Sequence, residues 1–407
     1  MNADSTNDPL WLHLDAESDA LPYRHGTYRT AHPRDTLQRF APRMRDAGIT
    51  RLADVTGLDW IGVPVYQAVR PLSRNLSVSQ GKGLTHLQAK VSAMMEAFEL
   101  FHAEVFSVPT TRCSVADMRQ RISYSPDTLS LMEEHRVPDN ATLCWAKGSN
   151  LLTRREEWVP KDLCCLDFTV QDRLAYTPFV TTSNGLASGN TYGEAIVHGL
   201  YEVIERDASA RARMDNAPPH GPLDISTIRS RTVQSLLHRF HACHVECTLV
   251  DVTGPTGIPC FEVELHDQYL NTSVWGSGCH MNANTAMVRA ITEACQTRVT
   301  YIAGTRDDLR YPDSEIVHSP MPRHPPGIAM TSASVMHRQP VPTRLSVGGQ
   351  IHALVQGIFG LTGVSPIVID LSLPELGIPV VYLVAPGLRF DTSHRSLRSS
   401  WQCISKP

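Results

Sequence analysis

The chain has 407 residues, 42% of them hydrophobic and 19% charged, with 28 prolines and 25 glycines. That is the composition of a globular protein, not of a disordered or fibrous one. Its 37 basic and 41 acidic residues leave a net charge of −4, which gives no global electrostatic case for nucleic acid or an anionic membrane surface. No run reaches the roughly 18 to 20 apolar residues of a membrane span, and Met1 to Pro22 lacks the basic and apolar regions of a signal peptide. A cytoplasmic location with reduced, scattered cysteines is expected.

In chain order, residues 1–45 read as a polar, loosely attached arm, 46–388 as one catalytic domain and 389–407 as a tail. Asp54-Val-Thr-Gly leads to Gly62-Val-Pro-Val, a strand, turn and strand with glycine and proline setting the turn. The loop Ser77 to Gly83 follows, with two glycines, hydroxyls at Ser77 and Ser79, and Lys82. Then comes a helix over Ala89 to His102 that carries Glu96 and Glu99. Thr110 to Ser125 has helix character, and Cys144 to Cys164 reads as a hairpin turning near Thr153. A second loop, Ser183 to Asn190, precedes a helix over Glu194 to Met214 that carries Glu202, Glu205 and Arg206.

Further along, His238, His241, Cys243, His244 and Cys247 form the one Cys/His concentration. It has no CxxC pair and reads as ordinary side chains at a helix end, not as a zinc site. Asp251-Val-Thr-Gly to Gly257-Ile-Pro-Cys repeats the first strand-turn-strand unit, and Asp370-Leu-Ser-Leu to Gly377-Ile-Pro-Val repeats it again. Between them lie a weaker helix copy around Arg289, Glu293 and Arg298, and a Pro-, Ser- and His-rich loop from Tyr311 to Pro342. Hairpins alternating with helices indicate an α+β (layered α/β) domain built from internally repeated units.

The repeat also carries the chemistry. Gly83 precedes Glu96 by 13 residues and Glu99 by 16, and Gly189 stands at the same distances from Glu202 and Glu205. Glutamates three apart share a helix face and repel each other, so a single ExxE is usually a solvated pair. Two such pairs, flanked by apolar residues and tied to equivalent glycine loops, want a cation instead. Carboxylates from different helices suit Mg2+, which keeps positions open for phosphate oxygens. Lys82 and Ser79 in the first loop, and Asn190 and Arg206 at the second unit, are candidate phosphate contacts. Arg289 with Glu293 offers either a third such set or an i,i+4 ion pair along an exposed helix.

The segments Ser79-Gln-Gly-Lys-Gly83, Ala93-Met-Met-Glu-Ala-Phe-Glu99, Ser183 to Asn190, Glu202-Val-Ile-Glu-Arg-Asp-Ala208 and Gly377-Ile-Pro-Val-Val together resemble the YcaO family. Tyr23-Arg-His-Gly-Thr-Tyr-Arg29 and Thr50 to Pro71 look like its TfuA-associated subgroup. The resemblance implies a YcaO-like fold around a nucleotide site and ATP- and Mg2+-dependent O-phosphorylation of a backbone amide in a precursor peptide or protein. External sulfide from a TfuA-like partner would give a thioamide, whereas a neighbouring Cys, Ser or Thr would give an azoline. It also implies Glu96, Glu99, Glu202 and Glu205 as Mg2+ ligands. Ser79, Lys82, Asn190, Glu194, Arg206, Arg289 and Glu293 would lie around nucleotide and metal. The resemblance assigns no general base and leaves the oligomeric state open, a homodimer included. Ser400 to Pro407 lacks the proline-rich tail of ring-forming members, which favours the thioamide.

Overall fold

The computed structural model describes residues 9–17, 21–132, 136–169, 177–214, 221–267, 272–306, 331–332 and 345–390. The chain opens with α1 (Pro9–Ala16) and α2 (Pro33–Phe40), followed by β1 (Arg51–Asp54), β2 (Val65–Val69), β3 (Val78–Lys82) and α3 (His86–Val105). Next come β4 (Thr110–Ser114), α4 (Val115–Arg119), β5 (Thr142–Asn150), β6 (Glu156–Pro160), β7 (Leu186–Ser188) and α5 (Tyr192–Met214). A third stretch holds β8 (Gly221–Asp224), α6 (Arg231–Ala242), β9 (Glu246–Asp251), β10 (Cys260–Asp267), β11 (Thr272–Cys279) and α7 (Ala283–Ala303). The last described elements are β12 (Thr331–Ser332), α8 (Val347–Thr362), β13 (Ile367–Asp370) and β14 (Val380–Val384).

The strands form three sheets, ordered β1-β2-β3, β11-β10-β9-β8-β12 and β4-β5-β13-β14-β7, with β6 on β5. Each sheet contains one copy of the same three-strand unit: β1-β2-β3, β9-β10-β11 and β13-β14-β7. In the β13-β14-β7 unit the hairpin comes last in the chain while its closing strand and helix, β7 and α5, lie in the middle, so this copy is split by a permutation.

The hairpin sequence explains its geometry. The carboxylates of Asp54, Asp251 and Asp370 accept the amides of Thr56, Thr253 and Ser372 at 2.9 to 3.0 Å, an Asx turn that ends the strand. The hydroxyls of Thr56, Thr253 and Ser372 then accept the amides of Val65, Cys260 and Val380, the residues that follow the prolines. Gly62, Gly257 and Gly377 have φ of 69°, 72° and 63°, a left-handed conformation that a Cβ disfavours. Val65, Cys260 and Val380 pair with Lys82, Cys279 and Ser188, which end the third strands.

Three residues beyond each of these strand ends stands an N-cap. Thr85, Thr191 and Asn282 accept the backbone amides of Gln88, Glu194 and Thr285, starting α3, α5 and α7 at equivalent positions. Gly81 and Gly278 let helix and strand touch: a Cβ on Gly81 would lie 2.0 Å from Ala93 N, and one on Gly278 2.2 Å from Ala286 O. The third helix is therefore a full copy of the other two. α5 is buried nearly all round, as befits a helix packed against α8 and strands β7, β14 and β11. Apolar residues of α3 such as Met94 and Phe98 are fully buried, each contributing about 2 kcal/mol by leaving water.

Several expectations need correction. Ser77 to Gly83 is not an open cradle, because Val78–Lys82 is strand β3, whose backbone pairs with β2. The region from Thr110 to Ser125 is a strand and then one short helix, α4, because its alternating polar residues pair with β5. The N-terminal stretch is not loose where it is described: Leu10, Trp11 and Leu21 are buried in the core around α5. Thr331–Ser332, within the expected long loop, pairs with β8; the rest of that loop and the tail after Phe390 lie outside the described residues. No described helix is long and apolar enough to cross a membrane.

Candidate active site

The helices α3, α5 and α7 bring their repeated glutamates to one place, and the contacts between units run in a cycle. Lys82 of the first unit reaches Glu293 of the third, Nζ to Oε2 2.5 Å. Ser188, closing the split unit, donates from its amide and hydroxyl to Glu99 of the first at 2.8 and 2.7 Å. Ser277 of the third donates to Glu205 on α5 at 2.7 Å and approaches Glu293 at 3.3 Å. Glu96 accepts the amide of Gln80 at 3.3 Å. Neither Ser188 nor Ser277 was expected from the sequence; carrying the repeat back from the helices into the strands would have singled them out as equivalents of Lys82 and Gln80.

The site is crowded with like charge. Burial pushes the Glu99 carboxyl up to about 7, against the pull of Ser188 and with Glu96 adding repulsion. Burial pushes Glu202 up to about 8; Arg206 opposes it, while Glu205, Glu99 and Glu293 reinforce it. Glu96 is raised by burial as well. Burial would also raise Glu293, but Lys82, Arg206 and Arg289 hold it well below the usual carboxylate range. Arg206 is held charged by Glu293, Glu205 and Glu202 despite its own burial. Three buried carboxyls that resist ionisation, with Glu205 and Glu293 adding repulsion on Glu202, form a site short of positive charge.

Other predicted residues make different contacts. Ser79 shares a strand face with Gly81, which abuts α3; it is buried, and its hydroxyl has no partner among the described residues. Asn190 and Glu194 belong to a neighbouring buried group. Glu194 receives Arg29 at 3.2 Å, the Thr30 amide at 2.9 Å and its hydroxyl at 2.5 Å, and the Asn190 amide at 3.1 Å. Asn190 in turn accepts from Thr36 at 2.9 Å. Glu194 lies eight residues before Glu202 on α5, about 12 Å along the axis. Arg29 nevertheless bears on both groups, because its charge lowers Glu99. Nothing in the spacing of the sequence pointed to Arg29. Arg298 is no part of the site: its guanidinium is buried against both oxygens of Asp59 at 3.1 Å.

Among the described residues, no three of His, Cys, Asp and Glu are grouped as a metal cage, the histidines and cysteines near Cys243 included. The carboxylates nevertheless fit Mg2+, which is usually held by one or two carboxylates together with substrate phosphates. Their oxygens are hard donors, and the raised carboxyls of Glu99 and Glu202 show what positive charge would relieve.

The family model for YcaO cyclodehydratases, ATP- and Mg2+-binding, matches residues 80–389. The chain belongs to the YcaO family. It is 31% identical over 397 residues to an uncharacterized protein in the tfuA 3′ region of Rhizobium leguminosarum bv. trifolii, covering 93% of this chain and 92% of that one. A heterocyclase in complex with substrate and cofactor superposes with a TM-score of 0.75 at 20% identity; the match covers all of this chain, which spans 60% of the heterocyclase. The YcaO of Methanopyrus kandleri bound with AMPPCP and Mg2+ gives 0.71 at 22% identity, covering 91% and 94% of the two chains. The α+β fold is thus that of the family, and family membership brings ATP and Mg2+ as its cofactors.

Proposed function

We propose that the protein O-phosphorylates a backbone amide of a precursor peptide and, with sulfide delivered by a TfuA-like partner, installs a thioamide. The observation that carries this reading is the convergence of five glutamates with Lys82, Arg206 and Arg289 where three equivalent helices meet. Residues 46–388 would be the catalytic domain, with 1–45 as an N-terminal arm and 389–407 as a tail.

Bound Mg2+-ATP supplies the phosphoryl group that turns the amide oxygen into a leaving group. Glu96, Glu99, Glu202 and Glu205 would hold Mg2+, with Ser188 and Ser277 fixing two of those carboxylates by hydrogen bonds. Lys82, Arg206 and Arg289 would face phosphate oxygens, Lys82 exchanging its Glu293 partner for them. Glu293 keeps the three cations in place before nucleotide arrives. Glu194 and Asn190, bonded to Arg29 and Thr36, would hold the N-terminal stretch against the site, and Ser79 would act from beneath α3.

The TfuA-associated reading is supported by the relative in the tfuA 3′ region. The second reading, an azoline-forming cyclodehydratase, is supported by the family description; it uses the same site with a Cys, Ser or Thr side chain as nucleophile. Incubating precursor peptide with Mg-ATP, sulfide and a TfuA-like protein separates the two by mass. Exchange of oxygen for sulfur raises the mass, and loss of water without any need for sulfide lowers it. Phosphate release with neither change would sink both.

A further inference from the structure

His198 lies on α5 midway between Glu194 and Glu202, four residues from each, so the three side chains share a helix face. By the repeat it occupies the position of Arg289 on α7, one turn ahead of the corresponding glutamate. Its Nδ1 is buried and has no hydrogen-bond partner among the described residues, and a buried polar atom left unmade is costly and rare. The charges that bear on the ring are Arg29 from the N-terminal stretch, Arg289 from α7 and Lys82 from the end of β3. Together with burial they hold the imidazole neutral. Three cations from three elements bear on a neutral ring whose buried Nδ1 has no partner among the described residues; such a place suits an anion, which offers acceptors only.

We infer that His198 is a nucleotide-binding residue whose Nδ1–H donates to a non-bridging phosphate oxygen held among Arg29, Arg289 and Lys82. The inference rests on the proposed ATP-dependent function and adds a residue and a tautomer to it. A neutral donor suits this position because a fourth cation would repel the other three, while a residue that only accepts would repel the ligand. Glu194 and Glu202, the neighbours along α5, are occupied by Arg29 and set among the acidic cluster respectively, which leaves Nδ1 for the ligand.

The test is calorimetric titration of the full chain with Mg2+ and a non-hydrolysable ATP analogue. An Asn amide reaches the place of Nδ1, whereas a Gln amide reaches that of Nε2. His198→Asn should bind within about 3-fold of the unaltered protein. His198→Ala and His198→Gln should lose about 10-fold or more, the worth of a hydrogen bond to a charged acceptor. Nitrogen NMR of histidine-labelled unaltered protein needs no variant: Nδ1 of His198 should carry the proton when the analogue is bound. Unchanged affinity in His198→Ala, retention in Gln but not in Asn, or an unprotonated Nδ1 overturns the inference. Failure of the unaltered protein to bind Mg-nucleotide at all overturns the proposed function itself.

Discussion

The ammonium of Lys82 and the carboxylate of Glu293, 211 residues apart in the chain, are joined at 2.5 Å. The pair ties the end of β3 to the middle of α7 and places a cation among five glutamates. Neither partner is fully shielded, the side chains being 25% and 23% exposed, so a nucleotide can reach the lysine without unfolding anything.

Lys82→Met should therefore weaken both states of the protein. Without nucleotide, Glu293 loses its nearest counter-charge, and urea unfolding should show a loss of about 1–2 kcal/mol. Affinity for Mg-ATP should fall about 10-fold or more, read by calorimetry. A variant that binds as tightly as the unaltered protein would place phosphate elsewhere.

The pH dependence of stability in the absence of Mg2+ has a definite sign. Glu99 and Glu202 titrate at about 7 and about 8 in the folded chain, above their unfolded range near 4.3. A raised carboxyl stabilises the fold below its unfolded pKa, and that contribution is lost as pH rises through the folded value. Melting temperature in chelator should thus fall between about pH 5 and pH 8. Adding Mg2+ and nucleotide, or Glu202→Gln, should flatten the fall. Glu202→Gln should at the same time bind Mg-ATP far more weakly, a split that simple damage to the fold would not produce.

Close helix-to-strand contact makes two glycines intolerant of any side chain. Gly81→Ala and Gly278→Ala each push a methyl group into helix backbone at 2.0 to 2.2 Å, and each should cost about 3 kcal/mol or more. Gly57→Ala, with nothing within 4 Å of the added carbon, is the control and should change stability by less than about 1 kcal/mol. Equal melts for all three would contradict the packing of the repeat.

Arg29→Ala should release the N-terminal stretch, because it removes one of the four donors that Glu194 receives from Arg29, Thr30 and Asn190. Limited proteolysis should cut residues 21–40 faster in this variant. Mg-nucleotide should slow cutting of this stretch further in the unaltered protein and leave the variant's rate unchanged.

Much of this was legible in the chain. The three Asp-x-Thr/Ser and Gly-x-Pro turns and the Gly-to-Glu spacing are local patterns, and each unit folds by local rules: an Asx turn, a left-handed glycine, an N-cap. The third copy looked weak because Gln296 stands where Glu99 and Glu205 do, yet its N-cap at Asn282 and its contact glycine at Gly278 keep it in register. Ser77 to Gly83 is the exception: its glycines suggest an open loop, while pairing with β2 makes Val78–Lys82 a strand.

The amino-acid sequence by itself determined the repeated unit, the helices and the faces on which the glutamates lie, because hydrogen bonds and side-chain periods within some twenty residues decide such things. Only the tertiary structure decided that the units close in a cycle, Lys82 on Glu293, Ser188 on Glu99 and Ser277 on Glu205. It also brought Arg29 and His198 into the same field of charge. These partners lie far apart in the chain, and no periodicity encodes them; they meet because each unit must bury one helix face, and burying all three turns their acidic edges toward one another.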